Sequence, residues 1–133
     1  MNKTPTSRPT EAEMEILQVL WERGPSTVRE VNEKLNRHRR VGYTTTLKLL
    51  QIMTEKGLTK RDQEQRTHIY APLVERNETR AKLLDRFVNT AFGGSAMSLV
   101  MQALGNHNAS EEELAQIRIL LSEMESRNND TNI

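Results

Sequence analysis

The chain has 133 residues, a formal net charge of +1 and no cysteine, which suits one domain, or a small domain with an appendage that needs a partner to cover its apolar side. The missing cysteines exclude disulfides, thiolate metal sites and a cysteine nucleophile. No run reaches the roughly 18 apolar residues of a membrane span, and MNKTPTSRPT lacks the apolar core of a signal peptide. Neither membrane insertion nor secretion is expected, and the place of action is read as cytoplasmic. The near-zero net charge conceals two unlike halves. Residues 1–73 carry 13 Lys and Arg against 9 Asp and Glu, and residues 74–133 carry the remaining 6 against 9. A basic head and an acidic tail are the division expected of a nucleic-acid module joined to an assembly module.

Pro5 and Pro9 among polar residues make residues 1–9 a flexible arm. Thr10 and Glu13 then form a capping box, and Met14, Ile16, Leu17, Leu20 and Trp21 build an apolar face before Gly24 closes a first helix. Trp21 at this spacing reads as a core anchor. Thr27 and Glu30 cap a short second helix carrying Val28, Val31 and Leu35 inward, with only a tight turn at Pro25 between the two helices.

From Glu33 to Glu55 no acid intervenes, while Lys34, Arg37, Arg39, Arg40 and Lys48 are basic, so a phosphate backbone meets no repulsion there. A third helix is expected from about Thr44 to Lys56, with Thr46, Leu49, Leu50 and Met53 inward and Gly57 as its stop. Tyr43, Thr44 and Thr45 stand at its start, where small hydroxyls reach phosphates or base edges and first-turn amides favour an anion. The competing reading is a capped, solvent-exposed amphipathic helix. Leu47 points away from the inward set, either toward a thymine methyl or onto a neighbouring helix. Leu58–Asp62 and Thr67–Ala71 are β-prone runs around Gln63–Arg66, a hairpin ending at Pro72. Lys60, Arg61 and Arg66 put positive charge on that wing, and Arg66 at its tip favours contact over idle exposure.

Beyond Glu75 the pattern changes to long helices. Ala81, Leu84, Phe87, Val88 and Ala91 form a stripe closed by Gly93 and Gly94. Met97, Leu99, Val100, Met101 and Leu104 make the next segment apolar nearly all round, which calls for burial. Ser110 and Glu113 form a third capping box, and Leu114, Ile117, Leu121 and Met124 follow at the spacing of a helix-pair seam. Too few residues remain here to enclose this surface alone, so a symmetric homodimer is expected, joined through Leu84, Phe87, Val88, Met97, Val100, Met101, Leu104, Leu114, Ile117, Leu121 and Met124. The methionines read as core filling rather than a flexible ligand pocket.

The expected architecture is mainly α. A winged helix-turn-helix of three helices plus a β-hairpin wing spans residues 10–73, a helical dimerisation region 74–127, and a disordered tail 128–133. Double-stranded DNA is the expected partner, met by Arg39, Arg40, Tyr43, Thr44, Thr45, Leu47, Lys48, Lys60, Arg61 and Arg66. His38, His68 and His107 lie far apart and read as surface or groove residues, so no metal and no cofactor are expected. Nor is an enzyme: Asp62 and Glu64 fall on the wing, no nucleophile–base–acid set is recognisable, and Gly93-Gly94 is a helix break. The alternative function is a winged-helix protein-interaction or scaffold module without DNA binding, against which the acid-free run 34–54 stands.

These residues resemble the penicillinase-repressor family of bacterial transcription regulators. The resemblance rests on Thr10-Glu11-Ala12-Glu13 with Ile16-Leu17 and Trp21, Gly24 with Thr27-Val28, Gly42-Tyr43-Thr44-Thr45-Thr46, Glu55-Lys56-Gly57-Leu58, Tyr70 with Pro72, and Ser98-Leu99-Val100. It implies a homodimeric winged-helix repressor that occupies an inverted repeat and reads bases from the start of the third helix. It also implies a membrane sensor protease system that cuts the family's repressors at an Asn-Phe bond. Gln102-Ala103 occupies that position here. The paired C-terminal cysteines of copper-responsive members are absent.

Overall fold

Reciprocal caps start the first two helices. The computed structural model describes residues 8–63 and 66–131. In it α1 (Glu11–Arg23) opens with Thr10 Oγ1 accepting the Glu13 amide at 3.2 Å, while Glu13 Oε1 accepts the Thr10 amide at 2.8 Å. α2 (Val28–Leu35) repeats the device with Thr27 and Glu30. Each box satisfies two first-turn amides that have no partner within the helix. The Thr27 amide, joined by the Arg23 guanidinium, holds the Glu30 carboxyl below its ordinary value. With the folded pKa depressed, this cap contributes fully above the ordinary carboxylate range and is lost as pH falls through it.

α3 (Tyr43–Glu55) ends at Gly57, whose φ of 81° is the left-handed conformation a Cβ opposes. There the Leu58 amide bonds the Met53 carbonyl and the Gly57 amide the Thr54 carbonyl, a Schellman closure that turns the chain into the wing. The strands are β1 (Ser26–Thr27), β2 (Thr59–Asp62) and β3 (Ile69–Pro72), forming an antiparallel sheet ordered β1-β3-β2. Ser26 faces Tyr70 from one side of β3, and Arg61 faces it from the other. The hairpin is therefore present, slightly shorter at the start of each strand than expected. The tight turn expected between α1 and α2 is corrected: it contains β1, whose two residues are too few to show a period and which exists because β3 offers it a partner.

Two compact units divide the chain, Met1–Leu84 and Asp85–Ile133. The core of the first includes Ile16, Leu17 and Leu20 from α1, Val31 and Leu35 from α2, Leu50 and Met53 from α3, Leu58 from the turn before β2 and Tyr70 from β3. Full burial of an aliphatic side chain of this kind contributes about 1.5–3 kcal/mol. Trp21 packs against this cluster, as its spacing suggested, and its Nε1 donates to the Val74 carbonyl at 3.1 Å. One charge pair lies inside. Glu13, 2% exposed, receives the Lys56 ammonium at 2.6 Å, and the same ammonium donates to the Arg8 carbonyl. The end of the third helix is thereby tied to the start of the first.

α4 (Arg76–Ala91) closes with the Phe92 and Gly94 amides both donating to the Val88 carbonyl, and the Phe87 and Phe92 rings meet edge to face at 5.6 Å. α5 (Ala96–Asn106) has no buried residue. α6 (Glu111–Thr131) starts with the Ser110–Glu113 box and runs on to Thr131. A disordered tail from residue 128 is thus corrected. Extending an established helix adds a hydrogen bond per residue at little entropic cost, so Asn128, Asn129 and Asp130 follow it despite modest propensity. No helix among the described residues is long and apolar enough to cross a membrane. Most of the expected N-terminal arm (residues 1–7), Glu64 and Gln65 of the expected wing turn, and residues 132–133 of the expected tail lie outside the described residues.

Candidate nucleic-acid interface

Helical spacing separates two faces of α3. Thr46, Leu50 and Met53 are fully buried, while Tyr43, Thr44, Thr45, Lys48, Gln51 and Ile52 are exposed. Unlike α1 and α2, α3 starts without a side-chain cap: Gly42 is its N-cap, and no acid stands in its first turn. Its leading amides and positive helix end are therefore presented beside three exposed side chains able to hydrogen-bond, those of Tyr43, Thr44 and Thr45.

The turn entering α3 is held by two asparagines that sequence reasoning missed. Asn36 uses both ends of its amide on Val41, accepting from its N–H at 3.1 Å and donating to its carbonyl at 2.8 Å. Asn32, one helical turn earlier, donates to the same carbonyl and to Thr46 Oγ1, both at 2.9 Å. Val41 is buried by this clamp, and Arg37, His38 and Arg40 are carried outward on the loop it closes. Two asparagines four residues apart at a helix end are a visible signal, because their short amides bond local backbone readily. Asn36→Ala is expected to lower stability by about 1–2 kcal/mol, since two polar groups of the Val41 backbone lose a partner. Urea unfolding of the variant measures this, and an unchanged midpoint would show that water replaces the amide.

The expected contact residues differ in how they are held. Arg40, Lys48, Lys60 and Arg66 are exposed. Arg39 is engaged within the protein, its Nε and Nη2 meeting the two Glu15 oxygens at 3.1 and 3.0 Å. That carboxylate holds the Arg39 guanidinium still more firmly protonated. Leu47, expected to face either a thymine methyl or a neighbouring helix, is half-buried and packs against the core, because the inward arc of α3 is wide enough to include positions 46, 47, 49, 50 and 53. Arg61 is partly buried and lines a cleft with Gln51, Thr54, Glu55 and Tyr70.

The expected dimer residues divide as well. Val88 is buried within its own chain. Leu84, Phe87, Met97, Val100, Met101, Leu104, Leu121 and Met124 are between 43% and 69% exposed, and Leu114 and Ile117 somewhat less. Among the described residues no group of three or more His, Asp or Glu could hold a metal ion.

Residues 9–123 match the family model described as "Penicillinase repressor". The chain is 32% identical over 116 residues to a protein of Mycobacterium tuberculosis named "Transcriptional regulator BlaI", covering 86% of this chain and 83% of that one. It is 25% identical over 118 residues to the "Penicillinase repressor" of Bacillus licheniformis, covering 89% and 92%. Among solved structures, one described as "The complex structure of hsRosR-S4 (vng0258/RosR-S4)" shares the fold at a TM-score of 0.51 and 16% identity, covering 96% of this chain and 98% of that one. The winged-helix core and its helical second half, expected from the capping boxes and the hairpin, thus stand in a known setting: the chain belongs to the penicillinase repressor family of transcriptional regulators.

Proposed function

We propose that the protein is a transcriptional repressor, not an enzyme, which acts in the cytoplasm as a homodimer on double-stranded DNA. Each copy would set the start of α3 into a major groove of an inverted-repeat operator. The observation that carries this reading is the uncapped, acid-free start of α3, with Thr44 and Thr45 exposed beside the loop that presents Arg37 and Arg40. Tyr43, Thr44 and Thr45 meet the groove, Lys48 follows one turn on, and Lys60 and Arg66 reach the backbone from the wing. Arg39 contributes through the loop it ties to Glu15, and Leu47 through the packing that holds α3 at its angle. The family relationship supports the reading, since the matching proteins are named as a transcriptional regulator and a penicillinase repressor.

The division of labour between helix and wing is measurable by fluorescence anisotropy with DNA from upstream of the protein's own gene and with random DNA across salt concentrations. Thr45→Ala is expected to lower discrimination between the two by about 1 kcal/mol. Arg66→Ala should weaken both alike and flatten the logarithmic salt dependence by roughly 0.9. Equal loss of discrimination from both variants would refute the assignment, and binding that is weak and independent of salt would favour a protein-interaction module. Gln102-Ala103 lies inside α5 where the family's cleaved dipeptide would stand, so release from DNA is not assigned to proteolysis at that bond.

A further inference from the structure

Thr46 is wholly buried on the inward face of α3, yet its hydroxyl is engaged on both sides. Its Oγ1 donates to the Gly42 carbonyl at 3.3 Å and accepts from Asn32 Nδ2 at 2.9 Å. The same Asn32 amide donates to the Val41 carbonyl at 2.9 Å, and Asn36 joins from the end of α2, donating to the Asn32 and Val41 carbonyls at 2.7 and 2.8 Å. The carbonyls of both residues that lead into α3 are thus held by side chains, and Asn32 bonds the loop and the helix at once.

Valine has nearly the shape of threonine and would fill the same place without burying a hydroxyl, which is unfavourable unless the hydroxyl is paired. Packing alone therefore does not account for Oγ1, whereas its bonds do. α3 has no side-chain cap at its start, and this tie fixes its first turn against α2. Thr44 and Thr45, the residues just before Thr46, are exposed, so any slide or rotation of α3 carries their hydroxyls with it. Contacts to base edges tolerate displacements of only about 0.5 Å. Phosphate contacts from long side chains such as Lys48, Lys60 and Arg66 adapt to such a shift, and they carry no sequence information.

We infer that Asn32 and Thr46 are positioning residues for base recognition. Their bond sets the start of α3 relative to α2, and so decides how sharply the protein distinguishes its operator from other DNA while leaving its general hold on DNA unchanged. This rests on the DNA-binding reading above, with Thr44 and Thr45 at the groove.

The test is fluorescence anisotropy of the full chain with DNA from upstream of its own gene and with random DNA, at several salt concentrations. Thr46→Val is expected to weaken binding to the upstream DNA by about tenfold, the scale of one impaired base contact, with random-DNA affinity and the salt slope unchanged. Thr46→Ser, which keeps the hydroxyl, should hold the wild-type ratio. Asn32→Ala should lose discrimination as Thr46→Val does, and the double variant little more, because both remove the same bond. Ile16→Val, a core change on α1 outside this network, controls for lost stability and should discriminate as the wild type does. Undiminished discrimination by Thr46→Val overturns the inference, as does equal loss from Ile16→Val or from Thr46→Ser. A wild type with no preference for the upstream DNA overturns the DNA-binding reading and the inference with it, whereas a discriminating wild type matched by Thr46→Val overturns the inference alone.

Discussion

Replacing Leu121 by aspartate is expected to leave a folded monomer whose affinity for an inverted-repeat operator falls by about 100-fold or more, while its affinity for a half-site is kept. Leu121 is 52% exposed in the single chain, and Leu114, Ile117 and Met124 lie along the same helix at three- and four-residue steps. In a two-fold symmetric pairing of α6 the substitution enters the seam twice, so two carboxylates lose hydration close to one another with no cation to meet them. The core of the first unit contains no residue of α6, so each winged helix stays intact. What disappears is the tether that makes the second half-site contact intramolecular, and such a tether contributes about 10²–10⁴ in apparent affinity. Sedimentation of the variant, with anisotropy on full and half sites, measures both parts. A variant that sediments as a dimer would show that the seam lies on another face, where Ile119 and Leu120 are also exposed.

Lys56→Ala is expected to lower the stability of the winged helix by about 3 kcal/mol. Glu13 is nearly inaccessible, and its carboxylate accepts both the Thr10 amide and the Lys56 ammonium. Removing the ammonium leaves a charge buried beside the core with one hydrogen bond in place of two, which costs far more than the loss of an exposed pair. For a domain of this size the melting midpoint should fall by more than about ten degrees. Glu13→Gln in the same background should restore part of the loss, because the remaining amide needs no counter-charge, and the double-mutant cycle reads the coupling directly. A Lys56→Ala protein within about 0.5 kcal/mol of wild type would mean that solvent reaches Glu13 in solution.

Much of the fold was legible because its signals are local. Thr10 with Glu13, Thr27 with Glu30 and Ser110 with Glu113 each state a helix start over four residues, and Gly24, Gly57 and Gly93 mark ends where a positive φ is needed. Thr46, Leu50 and Met53 follow from helical spacing alone. The start of α3 was legible for a similar reason, as an absence of acid and an excess of small hydroxyls next to a basic loop. The asparagine clamp on Val41 was written locally too, but its geometry depends on how the loop folds back on α2.

Other features depend on residues distant in sequence. Glu13 and Lys56 are 43 positions apart, and neither is unusual in its own neighbourhood. Arg39 counts as a free charge until α1 places Glu15 against it, 24 positions away. Leu47 could face a groove or a neighbouring helix until the full width of the α3 arc is seen, and β1 has no signal until β3 lies beside it. The sequence by itself determined where helices begin and end, which of their faces turn inward and where positive charge collects, because caps, periods and composition act over one or two turns. Only the tertiary structure decided which charges are engaged within the protein and which strand completes the sheet. Each of those depends on groups far apart in the chain, brought together by the burial of the core.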